Sequence, residues 1–291
     1  MSFDDAVLAP FAEFGFMRRA LVACLALALG SAPVGTLLVL RRMSLVGDAM
    51  AHALLPGAAL GFAIAGYSLV AMGGGGLVAG LAVALLAGWA ARATAQREDA
   101  SFAAFYLIAL AAGVMIVSQR GTPVDLMHVL FGSILAVDDA GLRLVAGVAS
   151  TTLLVLALLY RPLVVECFDP GYLRSVGGPG AAVHLVFLVL VVLNLVAGFQ
   201  ALGTLMAVGL MMLPATAARF WARELWSLAG VSVAIAMASA VGGLLLSYHF
   251  DLPSGPSIVL LAGAAYVASL FGGRYHSLLA QHLAWRPHRS A

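Results

Sequence analysis

Asp48 and His52 stand four residues apart in M-S-L-V-G-D-A-M-A-H-A-L-L-P-G, near the start of an otherwise apolar run long enough to cross a membrane. Residues at i and i+4 share one helix face about 5 to 6 Å apart, so this spacing aims a carboxylate oxygen and an imidazole nitrogen at one point. Such a pair is half of a divalent-metal site, or a step in a proton relay. A carboxylate at the centre of a span costs about 2.5 to 3.5 kcal/mol on insertion scales, so it needs a partner or a wet cavity. The competing assignment is a first-turn carboxylate, because Arg41 and Arg42 lie only a few residues back. Against it, His52 rises about 15 Å along a helix from those arginines, which brings it towards the bilayer midplane.

One Asp and one His do not complete a divalent-ion site, since zinc takes four ligands and harder ions take more. Two completions are open: a ligand from another span, or a second copy of the chain across a two-fold axis. The commonest oligomer symmetry makes the second the expectation, with two carboxylates and two imidazoles on the axis. The remaining histidines are weaker candidates. His184 falls near the start of a span and reads as interfacial, His128 and His249 fall on the opposite side, and His276, His282 and His288 form a tail cluster whose spacing matches no zinc motif.

The elements that must hold the pair follow from composition. With 63% hydrophobic and 10% charged residues and a mean hydropathy of +1.05, the chain is an integral membrane protein rather than a soluble domain. Apolar runs suggest about nine transmembrane helices, near 17–40, 45–66, 76–93, 101–118, 140–160, 181–199, 203–218, 227–248 and 256–272. The fold class is all-α and polytopic, one transmembrane domain over 1–291 with a polar lead-in at 1–15 and a tail at 273–291. The run from Arg18 to Leu40 exceeds a signal-peptide core and reads as the first span. Residues 125–136 are apolar but too short to cross, so they lie on the surface or re-enter.

Alternate connections collect Arg41, Arg42, Arg92, Arg97, Arg161, Arg174, Arg219, Arg223, Arg274, Arg286 and Arg289, leaving only Arg18, Arg19, Arg120 and Arg143 on the other side. By the positive-inside bias the N-terminus is outside and the C-terminus inside. These scattered arginines make no nucleic-acid patch. Within the inner connections, Pro170 to Ser175 can form a short helix. Pro214 can break the seventh span, freeing Ala215 to Leu225 as a short amphipathic helix with Trp221 and Trp226 at the lipid headgroups. Small residues at Gly47, Ala51, Ala58, Gly61 and Ala65 allow close helix packing of the second span. Cys24 and Cys167 make neither a metal spacing nor a disulfide framework, and read as packing residues.

All fifteen basic residues are arginine. A phosphate-binding P-loop needs a lysine, so any ATP that drives this protein is hydrolysed by another chain. The chain is therefore expected not to be an enzyme and to hold no permanent cofactor. An H-E-x-x-H hydrolase motif is also missing.

The stretch V-L-R-R-M-S-L-V-G-D-A-M-A-H-A-L-L-P-G-A-A-L-G resembles the permease subunits of bacterial zinc, manganese and iron ABC importers. Supporting blocks are E-D-A-S-F-A at Glu98, F-D-P-G-Y-L-R-S-V-G at Phe168, G-T-L-M-A-V-G-L-M-M-L-P-A-T-A-A-R at Gly203 and Y-H-F-D-L-P-S-G-P-S-I-V-L-L at Tyr248. Ala100 and Ser101 depart from the family's usual pair after Asp99, which weakens any role for that aspartate. The resemblance implies a homodimeric permease in the bacterial inner membrane, two cytoplasmic ATPase subunits and an extracytoplasmic metal-binding protein. It also implies that Asp48 and His52 bind the transported metal, and that the segment holding Pro214, Ala215, Thr216, Arg219, Phe220 and Arg223 docks on the ATPase. Zinc is expected ahead of manganese, because two Asp and two His close a tetrahedron. The alternative is a proton-coupled secondary metal carrier that uses Asp48 and His52 as the relay.

Overall fold

A computed structural model describes residues 8–66, 68–94, 96–119 and 137–280, and every regular element among them is helical. In chain order these are α1 (Ala9–Glu13), α2 (Gly15–Leu40), α3 (Ser44–Ala65), α4 (Leu69–Ala93), α5 (Glu98–Gln119), α6 (Asp139–Leu158), α7 (Tyr160–Phe168), α8 (Pro170–Ser175), α9 (Gly180–Leu202), α10 (Thr204–Ala218), α11 (Leu225–Phe250) and α12 (Ser254–Gly272). Eight of them, α2 to α6, α9, α11 and α12, are long and apolar enough to cross a membrane. The expected short helix at 170–175 is α8. Residues 1–7, the segment 125–136 and the tail from 281, with His128, His282 and His288, lie outside the described residues.

The expected seventh span is α10, which has 15 residues and is therefore about 22 Å long, short of the roughly 30 Å hydrocarbon core. The chain enters it through Gly203, whose φ of 93° is a conformation that side chains rarely adopt. Ala201 to Thr204 are buried around that break, where irregular backbone is shielded from lipid by protein. At its other end the expectation needs correcting: Pro214 does not break the helix, and Ala215 to Leu225 is not a separate amphipathic helix. Residues 215–218 are the last turn of α10, residues 219–221 form a turn, and after the irregular stretch 222–224 α11 begins at Leu225. The Thr216 hydroxyl donates to the carbonyls of Met212 and Leu213, at 3.1 and 2.8 Å, within the last turns of the same helix.

Contacts show which connections share a face. Arg41 at the end of α2 meets His184 in the first turns of α9, and His184 meets Glu98 at the start of α5. Leu40 packs with Ala218, Ala222 and Leu228, and the Tyr275 amide donates to the Phe220 carbonyl at 2.8 Å. The arginine-rich connections thus converge on one side. On the opposite side, Arg19 pairs with Asp139 at 3.7 Å and Phe14 packs on Tyr248.

The second span, α3, packs most extensively on α4 and then on α5. A side chain at Gly57 would collide with the Gly75 carbonyl, and one at Gly61 with the Ala71 carbonyl. These glycines let the two backbones touch, as the small-residue pattern requires. Gly113 of α5 seats against Pro56, where an added Cβ would lie 2.9 Å from the proline Cα.

Candidate functional site

On α3 the residues facing α4 and α5 are buried, while Ser44, Leu45, Asp48, His52, Leu55, Ala59, Phe62 and Ala63 form a stripe that the rest of the chain leaves partly or fully open. Asp48 and His52 sit on this stripe. Their side chains are 64% and 35% exposed, and the His52 Nε2 lies 3.8 Å from the Asp48 Oδ1. The helix starts from an N-cap at Met43, and Asp48 makes no capping bond, so its carboxylate is not spent on the helix end. The His52 ring stacks on Tyr106 of α5, with centroids 6.3 Å apart and planes 29° from parallel. Among the described residues no group of three or more His, Cys, Asp or Glu comes together around a common centre. The pair thus has no third such group beside it among the described residues.

A second polar constellation lies on the arginine-rich face and is buried. The guanidinium of Arg41 donates from Nη1 to the Nδ1 of His184 at 2.7 Å and from Nε to the Cys167 Sγ at 3.3 Å. It also lies 4.6 Å from the centre of the Phe187 ring. Its Nη2 faces Glu166 at 4.0 Å, both side chains being 7% exposed. That Nη2 and the Glu166 Oε2 have no hydrogen-bond partner among the described residues. Since a guanidinium only donates, the His184 Nδ1 is the acceptor, and its Nε2–H is left to donate to Glu98 at 2.9 Å. Burial pushes the Cys167 thiol above its ordinary range, with Arg41 pulling the other way. A cavity of about 840 Å³ opens beside these groups, lined also by Met43, Gln96 and Gly177 to Ala181 except Pro179.

This cluster corrects the assignment of His184 as interfacial: it is buried and bonded across the fold because Arg41 and Glu98, distant in sequence, converge on it. Cys24 is a packing residue as expected, whereas Cys167 touches Arg41. The only hint in the sequence was the presence of Glu98, Glu166 and His184 near span ends. Asp99 pairs with its neighbour Arg97 at 3.6 Å. His249 packs edge-on to Tyr248 on the opposite face.

The segment after Pro214 is split between core and surface. Ala215, Ala217, Ala218 and Ala222 are buried, Phe220 packs against Tyr266, and Arg219, Trp221, Arg223 and Glu224 are exposed. The Arg223 guanidinium lies 4.4 Å over the Tyr275 ring, and the Trp221 indole N–H donates to Ser269 at 2.8 Å. The Trp226 indole N–H donates to Glu224.

A family model described as "ABC 3 transport family" matches residues 13–273. The chain is 34% identical over 259 residues to the manganese import system permease protein ScaB of Streptococcus parasanguinis, covering 89% of this chain and 91% of that one. It is 32% identical over 261 residues to the chelated iron transport system membrane protein YfeD of Yersinia pestis, covering 90% and 86%. The solved structure of PsaBC from Streptococcus pneumoniae in complex with Fab aligns with a TM-score of 0.82 at 30% identity, over 94% of this chain and 98% of that one.

Proposed function

Because the chain belongs to the ABC 3 transport family, we propose that it is the multi-pass membrane permease of a metal importer, moving a divalent transition metal into the cytoplasm while separate subunits hydrolyse ATP. The observation that carries this reading is the exposure of Asp48 and His52 on a membrane helix. Facing lipid, an ionised carboxylate is penalised by about 2.5 to 3.5 kcal/mol, so the stripe needs a protein or aqueous neighbour. A second copy of the chain supplies both. Across a two-fold axis the half-site becomes two carboxylates and two imidazoles around one ion, and the apolar members of the stripe, such as Leu45 and Leu55, pack against their counterparts.

Carboxylate and imidazole together accept manganese, iron or zinc. The donor set alone favours zinc, but ScaB is named for manganese and YfeD for chelated iron. Manganese therefore moves ahead of zinc as the proposed cargo. The arginine-rich face is the cytoplasmic one in this reading, and two ATPase subunits dock there on the surface formed by Arg219, Phe220, Trp221 and Arg223. An extracytoplasmic metal-binding protein loads the opposite face. The packing of Ala218 and Ala222 on Leu40 gives ATPase movement a direct route to the α2–α3 junction, and so to Asp48.

The test is metal uptake into vesicles holding the permease and its ATPase, with and without nucleotide. Uptake that requires ATP and vanishes in His52→Ala supports the reading. Uptake without nucleotide that follows a proton gradient would instead establish the secondary carrier. Metal analysis of the purified dimer adds a second arm, since a shared site holds about one ion per two chains.

A further inference from the structure

We propose that Tyr106 is a positioning residue for the transported ion, acting through His52. This inference rests on the reading that Asp48 and His52 bind the cargo. His52 is a partly exposed side chain on an open stripe, and by itself its ring is free to swing about its last torsion. Only orientations that bring one ring nitrogen to the Asp48 side let the two residues share an ion. Tyr106 removes that freedom: its ring lies nearly parallel to the imidazole at 6.3 Å, within the range of offset aromatic stacking.

The stack is held in place by backbone, not by chance rotamers. Tyr106 and Gly113 are seven residues apart, two helical turns, and so share the face of α5 that lies against α3. Gly113 has no room for even a methyl group against Pro56, which fixes the register of α5 on α3 one turn beyond His52. Phe102, four residues before Tyr106 on the same face, is fully buried and anchors the other end. The tyrosine ring is thereby presented to the imidazole from a rigid neighbour. Groups that orient a metal-binding histidine commonly change metal affinity by about 10- to 100-fold when removed, although the partner there is usually a hydrogen bond rather than a stack.

The experiment uses Co²⁺ as the probe, titrated into the purified full-length permease in lipid nanodiscs, with the visible absorption of the bound ion reporting its coordination. Tyr106→Phe keeps the ring and should bind within about two-fold of the parent with the same spectrum, whereas Tyr106→Leu should weaken binding by about ten-fold or more and alter the band shape. Equal affinity and spectrum in the Leu variant would overturn the proposal. So would a Phe variant as weak as Leu, which would give the role to the hydroxyl. If the Leu chain does not assemble, Tyr106→Met fills the same gap and repeats the comparison. His52→Ala separates the two levels: if it leaves Co²⁺ binding intact, the metal-site reading itself fails, and if it abolishes binding while Leu or Met at 106 does not weaken it, only the positioning role fails.

Discussion

Two polar constellations stand out among the described residues, and they are built in opposite ways. Asp48 and His52 come from one helix, four residues apart, and are left open on its uncovered side. Arg41, Glu98, Glu166, Cys167 and His184 come from four separate places in the chain and are gathered inside, around a guanidinium that touches a ring nitrogen, a sulfur and an aromatic face. Burying charges is costly unless they are paired, so the second group has partners from its own chain. The first group is short of partners among the described residues, which suits the proposed role of a site that takes up and releases an ion. Incomplete and exposed marks the place where something else binds; crowded and buried marks the place where helices are tied together.

The sharpest way to break this contrast is to substitute its two histidines alike. His52→Gln removes an imidazole from the pair, and transport should fall to background while the chain still folds, because α3 packs on α4 through Gly57 and Gly61 rather than through the open stripe. Retained uptake of metal into vesicles would remove the pair from the pathway.

Arg41→Met should act on stability instead. It leaves Glu166 buried without its cation, a change that costs about 3 to 5 kcal/mol, and the paired change Arg41→Met with Glu166→Leu should recover most of it. Thermal unfolding in nanodiscs reads both. A single variant as stable as the parent would show that Arg41 does not hold the cluster.

A smaller effect is expected at the docking surface. Reversing Arg219 and Arg223 to glutamate should reduce the ATPase that co-purifies, since like charges then face any acidic partner surface, yet leave Co²⁺ binding unchanged. Normal co-purification and transport would return this segment to a lipid-facing role. The smallest effect is the counterpart of the first: His184→Gln can accept from Arg41 and donate to Glu98 as the neutral imidazole does, so it should cost no more than about 1 kcal/mol of stability and keep transport. His184→Leu, which can do neither, should be clearly worse by the same unfolding measurement.

Much of this molecule was legible before its fold. Each expected span has its helix, with ends shifted by a few residues in most cases; only the 76–93 span began seven residues late, because the glycine run at Gly73 to Gly76 looks like a loop until Gly57 of α3 is found packed against it. The proline rule misjudged 214 for a comparable reason: the penalty is real, but α10 is sheathed by α2, α11 and α12, whose packing holds the helix together through the proline.

The chain by itself determined its spans, its arginine-rich face and the Asp48–His52 pair. All three depend on consecutive residues, through a hydrocarbon thickness near 30 Å, a charge bias at span ends and a helical repeat of 3.6. Only the tertiary structure decided that the pair faces outward beside Tyr106, that Pro214 leaves α10 intact, and that His184 is bonded to an arginine 143 residues away. Burial and partnership are relations between helices, and hydropathy, which is nearly uniform along these spans, carries no information on which side of each helix will meet a neighbour.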